Sequence, residues 1–521
     1  MNNFKPPYVL RAQTYGDRLA VIENDVRVNY DKLVFKAHQM AAALLREGTG
    51  FRGRRVASLL LPGSDYICLQ WAVWLAGGVI VPLSLTHPYP EHNRVVKDSG
   101  ADIVVVDSDL GAELRERGSN GARIFNVREL QRIEPINTIQ LNDGDASEDA
   151  MILYTSGTTG IPKGVVLTHD NLQKQIGILV SSWGWTQNDR IIHALPLHHV
   201  HGIVNALCCP LWIGASCQFL KRFDPKSVWE HLKTGQITVL MAVPTMFIRL
   251  IQYWKKQQPE EREVLSQISS NLRLMVSGSA ALPEKVFEEW KSISSHSLLE
   301  RYGMTEIGMA LSNPLYGERR PGTVGQPLPG VQVRLVDDEG KVIPSEGQAG
   351  EIEVCGPTIF SRYWGNVEET KAAFRNGWFR TGDSAIVEEG YWRILGRNSV
   401  DIIKTGGFKI SALEVESALL AHPDIQEFCV VGTLDEEWGE RVCAVFTESS
   451  SRVESLSELR RWAKKRIAPY KIPTRLVIMG TLSRNSMGKI NKVAILRDIT
   501  EGNLISDEIH AHSNEPYGVQ E

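Results

Sequence analysis

An apolar segment, Met151–Leu153, runs straight into Tyr154–Gly164 (YTSGTTGIPKG), and this junction constrains the chain more than any other stretch. Seven of the eleven residues are Ser, Thr or Gly, and the only charge is Lys163. Glycines let a backbone turn its N–H groups toward an anion without Cβ interference. Ser156, Thr158 and Thr159 add hydroxyl donors and Lys163 a positive charge. With Thr155, Gly157 and Gly160 they describe a polyphosphate cradle placed at the end of a buried strand. It is not a Walker A loop, because G-x-x-x-x-G-K-[ST] fails at every register.

The flanking pattern is that of an α/β protein. Leu33, Ala37, Met40, Ala41, Leu44 and Leu45 recur at helical spacing and predict an amphipathic helix over 31–46. Strands are expected at Val56–Leu61, Val79–Leu83 and Ile103–Asp107, with helices at Asp65–Leu75 and Glu91–Ser99 between them. Strands separated by helices imply parallel pairing with helices on both faces. After about residue 320 the chain becomes strand-rich, with Val331–Val336, Gly350–Val354 and Tyr391–Ile394 expected as strands. A last α+β unit starts near residue 398, where Ser411 and Glu414 form the pattern of a capping box. Its helices are expected up to His422 and over Leu456–Arg466, its strands at Glu427–Val431, Arg441–Thr447 and Leu476–Met479. The expectation is a large N-terminal domain of mixed α/β sheets, residues 1–397, with a small β-rich subdomain over about 320–397. A mobile C-terminal domain, residues 398–521, follows.

Composition removes several function classes. Among 521 residues, 57 basic side chains nearly balance 61 acidic ones, which argues against a nucleic-acid partner. The seven cysteines are scattered, odd in number and free of any C-x-x-C spacing, which points to a reducing compartment. The longest apolar run, Trp71–Leu83, is interrupted by Gly77, Gly78 and Pro82 and falls short of the roughly 20 residues that span a bilayer. The N-terminus carries no apolar signal core. A cytoplasmic protein without a membrane partner, monomeric or weakly homo-oligomeric, is the expectation.

The cradle resembles the signature of the adenylate-forming superfamily, which holds acyl-CoA synthetases, firefly luciferase and peptide-synthetase adenylation domains. Further segments resemble that family in the same order: Leu195–Gly202 (LPLHHVHG), Ser277–Ala280 (SGSA), Glu300–Glu306 (ERYGMTE), Gly377–Asp383 (GWFRTGD), Gly396-Arg397 and Arg484–Lys489 (RNSMGK). The resemblance implies ATP, Mg²⁺ and coenzyme A as co-substrates and cofactor. It implies that the cradle and Lys163 hold the β- and γ-phosphates, that Gly278, Ser279, Ala280, Glu300 and Gly303 line the nucleotide site, and that Tyr302 stacks on adenine. Thr305 would contact the α-phosphate, Asp383 and Arg397 the ribose, and Glu306 with Thr158 the magnesium ion. Glu306 is the hard oxygen ligand that Mg²⁺ prefers. Lys489 would bridge the reacting carboxylate and the α-phosphate. Gly406 and Gly407 would admit pantetheine after the tail has swung about a pivot near Arg397.

The acid is expected to lie among His199, His201, Ser277 and Met304. A zinc site at His198, His199 and His201 lacks ligand spacing. Arg249 follows Thr245, a possible helix cap, with Met246 and Tyr253 at helical spacing around it, and a charge among apolar neighbours wants a partner. Residues 400–416 and 300–310 are similar to the malonyl-CoA synthetase branch, in which an Arg at this place pairs with the distal carboxylate of malonate. The implied reaction converts malonate or methylmalonate, ATP and CoA to the acyl-CoA, AMP and pyrophosphate. A ligase for a short aliphatic or aryl monocarboxylate, with Arg249 at the surface, is the alternative. A non-catalytic homologue and a carrier-protein adenylation domain fit the motifs less well.

Overall fold

The structure, a computed structural model, describes residues 6–24, 26–46, 50–107, 110–132, 145–156, 162–344, 346–425, 427–447, 455–484 and 489–501. The cradle tip, with Gly157, Thr158, Thr159 and Gly160, lies outside the described residues. The chain divides into two compact units. The first comprises Met1–Leu282, Val286–Arg334 and Glu353–Thr381; the second comprises Pro283–Lys285, Leu335–Ile352 and Gly382–Glu521.

Two sheets build the first unit. A seven-stranded sheet runs Arg362–Tyr363, Pro162–Thr168, Asp149–Ser156, Val79–Pro82, Arg55–Leu59, Ile103–Val106, Arg123–Asn126. Its strands from Val79–Pro82 to Arg123–Asn126 are parallel, as the alternating pattern implies. Val79–Pro82 and Ile103–Val106 are buried at every position, the signature of strands covered on both faces. The expected helices are Tyr30–Arg46, Ser64–Leu75 and Tyr89–Ser99.

A nine-stranded sheet has a parallel centre in the order Leu299–Met304, Leu274–Ser277, Val239–Ala242, Arg190–His193, Ser216–Phe219, Leu19–Glu23. Helix Pro244–Lys255 leaves this sheet and buries Pro244, Phe247, Leu250 and Ile251. That spacing puts one stripe inward. Phe247 meets Trp290 with ring centroids 5.1 Å apart, and Trp229 Nε1 donates to the Leu250 carbonyl at 3.2 Å. The helix starts at Pro244 with Val243 at its N-cap, so Thr245 lies inside the first turn and does not cap it.

Beyond residue 330 the strands Gln332–Val336, Gly350–Cys355, Trp378–Glu388 and Tyr391–Arg397 supply the expected β-rich texture. In the second unit, Phe408–Ser411, Ile402–Thr405, Gly439–Thr447 and Phe428–Asp435 form a sheet, joined by Arg475–Met479. Ser411 accepts from Glu414 N at 3.1 Å and caps helix Ala412–Leu420. Only this half of the expected box forms, because the Glu414 carboxylate is taken by Lys471 Nζ at 2.6 Å.

Candidate active site

The described ends of the cradle lie on antiparallel strands in which Thr155 faces Lys163, Tyr154 faces Gly164 and Ser156 faces Pro162. Lys163 forms an ion pair with Glu369, and its ammonium lies 5.4 Å from the Tyr363 ring centroid. The Tyr363 hydroxyl donates to Glu306 Oε1 at 3.0 Å. One tyrosine therefore links the cradle cation to the carboxylate expected to meet magnesium. Glu306 is buried, and its carbonyl accepts from Phe360 N at 2.7 Å, which fixes the backbone beneath it. Among the described residues no group of three His, Cys, Asp or Glu could cage a metal. The donor chemistry fits Mg²⁺ held by one carboxylate together with substrate phosphates.

Strands Leu274–Ser277 and Leu299–Met304 run parallel with Ser277 opposite Glu300. Gly278, Ser279 and Ala280 follow the end of the first strand, and Gly278 and Ser279 stand beside Arg301, which lies within the second. Tyr302, Met304 and Thr305 are half-buried. A Cβ on Gly303 would come within 2.0 Å of the Gly308 carbonyl oxygen, so the tight return to Gly308–Ser312 requires glycine there.

Arg301 is the side chain that the motif analysis left without a role. It is 4% exposed, and a Cβ on Gly278 would meet its guanidinium carbon at 2.5 Å. Its Nη2 lies 3.5 Å from Ser279 Oγ, which in turn lies 3.1 Å from His201 Nδ1. Ser279 is exposed and holds a left-handed φ of 70°, an uncommon conformation for a residue with a side chain. Arg301 Nε, Ser277 Oγ, His201 Nε2 and both side-chain polar atoms of Asn205 are buried without a hydrogen-bond partner. Burial pulls the Arg301 guanidinium down to about 9. Arg249 behaves differently: it is exposed, and its guanidinium lies over the Phe223 ring at 5.1 Å. The stripe that packs helix Pro244–Lys255 inward points Arg249 out, so the structure does not bring it to His201 or Ser277. Replacing it by Leu is expected to leave turnover of the acid substrate within about threefold, a surface-sized effect, in a steady-state assay.

The histidine loop leads into a π-helical stretch, His201–Cys208, which is buried throughout. Such turns recur at functional sites. Gly202 is required here, since a Cβ would sit 2.1 Å from the Pro196 carbonyl oxygen. The His198 and His199 rings lie with centroids 4.0 Å apart and planes tilted by 46°. Burial first, and then the neighbouring imidazoles, push His198 down to about 2; burial takes His199 and His193 to about 4. His201 also lies well below its usual range, through burial and then the Arg301 charge. In the unfolded chain these groups protonate near 6.5. Stability is therefore full above about 6.5 and falls as pH drops toward about 4, by up to about 1.4 kcal/mol per pH unit for each histidine. Melting temperature is expected to drop between pH 7 and 5 and to change much less between pH 7 and 8.

In the second unit Asp383 and Arg397 are cross-strand partners, with Arg397 Nε donating to Asp383 Oδ1 at 3.0 Å. Gly406 and Gly407, with φ of 52° and 83°, turn the chain between strands Ile402–Thr405 and Phe408–Ser411. Two successive positive φ values suit a tight hairpin and favour glycine. A Cβ on Gly406 would also strike the Trp438 ring at 2.8 Å. Lys489 is exposed, at the end of a loop closed by a bridge between Arg484 and Ile490.

A family model described as AMP-binding enzyme matches residues 10–364, and one described as AMP-binding enzyme C-terminal domain matches 414–489. The chain belongs to the AMP-binding enzyme family. This AMP-binding enzyme is 44% identical to the malonate–CoA ligase ACSF3, mitochondrial, of Homo sapiens, over 94% of this chain and 92% of that protein. The ATP-bound crystal structure of MatB from Rhodopseudomonas palustris superposes with a TM-score of 0.87 at 34% identity, covering 96% of this chain and 99% of that one. An o-succinylbenzoate coenzyme A synthetase from Bacillus subtilis, in complex with ATP and magnesium ion, matches with a TM-score of 0.82 at 28% identity, over 94% and 98% of the two chains. No helix among the described residues is long and apolar enough to cross a membrane.

Proposed function

We propose that this enzyme is an ATP-dependent malonate–CoA ligase that forms malonyl-CoA, AMP and pyrophosphate through a malonyl-adenylate. The observation that carries the diacid reading is Arg301, a buried guanidinium with no carboxylate in ion-pairing reach among the described residues. A buried charge is costly unless paired. Malonate brings one carboxylate to react and a second to pair with Arg301, whose planar fork suits that task. His201, Ser277 and Ser279 complete the polar wall, and Met304 an apolar one.

In the first step a malonate oxygen attacks the α-phosphorus and pyrophosphate leaves. The cradle residues Thr155–Gly160 and Lys163 hold the outer phosphates, Thr305 the α-phosphate, Gly278, Ala280, Glu300, Tyr302 and Gly303 the nucleoside, and Asp383 with Arg397 the ribose. Glu306 and Thr158 would hold Mg²⁺, which when bound offsets phosphate charge. Lys489 neutralises the approach of the two anions. In the second step the CoA sulfur attacks the acyl carbon and AMP leaves. The C-terminal unit moves between the steps about the segment after Arg397, with the division of domains at 397/398. Gly406 and Gly407 then admit pantetheine, and His199 lines the acyl and thiol passage. With its pKa down at about 4, His199 is a weak base, so the thiol proton goes to water. All seven cysteines are free, and we assign the enzyme to a reducing aqueous compartment, the cytoplasm. Fractionation of the native cell tests that against the organelle in the human relative's name.

A small-acid panel tests the function: acetate, propionate, malonate, methylmalonate, succinate and benzoate, assayed for AMP with CoA present. Malonate or methylmalonate is expected to exceed acetate by about 10²-fold or more, the scale of one buried charge pair. Equal turnover of the monoacids sinks the diacid reading, and no pyrophosphate from any acid sinks the ligase reading. Glu306→Gln is expected to raise the Mg²⁺ concentration for half-maximal rate about tenfold, near 1.4 kcal/mol of lost charged ligation, in a Mg²⁺ titration at fixed ATP.

A further inference from the structure

Three charged side chains that have no role in the site above are buried together in the second unit. Lys492 Nζ lies 2.6 Å from Asp401 Oδ1 and 2.8 Å from Glu416 Oε1, with the three side chains 10%, 10% and 16% exposed. Each carboxylate has a second anchor. Asp401 Oδ2 accepts from Arg397 N at 3.0 Å, and Glu416 Oε1 accepts from Val430 N at 2.7 Å. The two carboxylates hold the Lys492 ammonium well above its usual range despite its burial. The cluster is too buried for Lys492 to serve as a surface cation.

Its connections are what matter. Asp401 closes the turn after Arg397, with Asp401 N donating to the Arg397 carbonyl at 2.7 Å and Ala412 N donating to the Asp401 carbonyl at 2.7 Å. Glu416 sits on helix Ala412–Leu420. Lys492 is the first residue of helix Lys492–Thr500, whose N-cap is Asn491. Asn491 N donates to the Ser483 carbonyl at 2.7 Å, so the loop that carries Lys489 is pinned at its base. One ammonium thus joins the Lys489 loop to the turn that carries Arg397, within one compact unit.

We propose that Lys492 is a positioning residue for adenylation: through Asp401 and Glu416 it braces the Lys489 loop against the segment that follows Arg397, and so sets where Lys489 stands when the adenylation arrangement forms. This rests on the role assigned to Lys489 above. Without Lys492 two buried carboxylates face each other and cannot both stay ionised, and the turn and the loop separate. Adenylation needs Lys489 and Arg397 in register, whereas transfer of a finished adenylate to CoA does not use Lys489.

The test compares half-reactions in Lys492→Met, Lys492→Arg and Asp401→Asn. Adenylation is read as malonate-dependent ATP–pyrophosphate exchange, and transfer as single-turnover reaction of chemically prepared malonyl-adenylate with CoA. Lys492→Met and Asp401→Asn are expected to lose about 10- to 100-fold in exchange, the scale of an ångström-sized misplacement. Transfer should fall by no more than about threefold, and Lys492→Arg should recover most of the exchange. An equal fall in both half-reactions, or no fall in exchange, overturns the proposal. Asp401→Asn decides if Lys492→Met does not fold. Lys489→Met is run beside them: exchange intact in that variant means that the role of Lys489 has failed, while exchange lost there and retained in the Lys492 and Asp401 variants means that only the brace has failed.

Discussion

Arg301→Met lowers malonate-dependent AMP formation by about 10²–10³-fold, while AMP formation from acetate or propionate holds or rises. The magnitude follows from the cost of a buried charge left without its partner, about 3–5 kcal/mol, at about 1.4 kcal/mol per tenfold. In the wild type the uncompensated charge is on the protein before substrate arrives, and a short diacid compensates it. In the variant the charge moves to the substrate, whose second carboxylate must then be buried against a thioether. A monoacid has no second charge and escapes the penalty. Gly278→Val is expected to lower malonate turnover too, because a Cβ at residue 278 meets the guanidinium at 2.5 Å and must displace it, although at a residue assigned to the nucleoside site the monoacids lose turnover with it. A Gly278→Val enzyme with full malonate turnover would place the carboxylate partner elsewhere. Arg301→Lys separates charge from shape: partial recovery is expected, since an ammonium offers the charge but not the two-pronged geometry.

The contrast between Arg249 and Arg301 shows what a linear reading reaches. The α/β class, the early helices and the parallel strands were legible because apolar spacing alone sets them. The Tyr154–Gly164 segment was legible because its make-up has few structural uses. The helix that carries Arg249 was legible too, but its inward stripe of Phe247, Leu250 and Ile251 is set by contacts with Trp229 and Trp290, from elsewhere in the chain. Arg301 stood inside a motif that was read for Tyr302, Thr305 and Glu306. Its signal was available: a charged pair, Glu300-Arg301, directly after Leu298-Leu299 in a strand that must be buried. What no linear reading provides is the register that sets Ser277 opposite Glu300 and so opens room for the guanidinium over Gly278. The Ser411–Glu414 pattern failed by half for a similar reason, since Lys471 competes for the glutamate. The buried cluster of Lys492, Asp401 and Glu416 draws on three separate segments and had no local signature.

Lys489→Met lowers malonate-dependent ATP–pyrophosphate exchange by about 10²–10³-fold, the range for removing one preorganised charge-stabilising group, and leaves transfer from malonyl-adenylate to CoA within about threefold. Adenylation brings a carboxylate against a polyanion. At about 4 Å two unit charges of one sign repel by about 1 kcal/mol in bulk water and about 4 kcal/mol at the effective dielectric near a protein surface, so closure of the site raises the barrier unless a cation enters with it. Lys489 is exposed in the second unit, where its ammonium is hydrated at little cost, and its attraction gains strength only when water is excluded around the reactants. That makes it a group for one step. In thioester formation the carbon under attack is neutral, and the developing charge passes to its carbonyl oxygen and then to AMP as it leaves, so no polyanion has to be held against the attacking group. Lys489→Arg keeps the charge but spreads it over a wider plane, so exchange should recover only in part. If transfer to CoA falls as far as exchange does, Lys489 acts on the shape of the second unit and not on the meeting of the two anions.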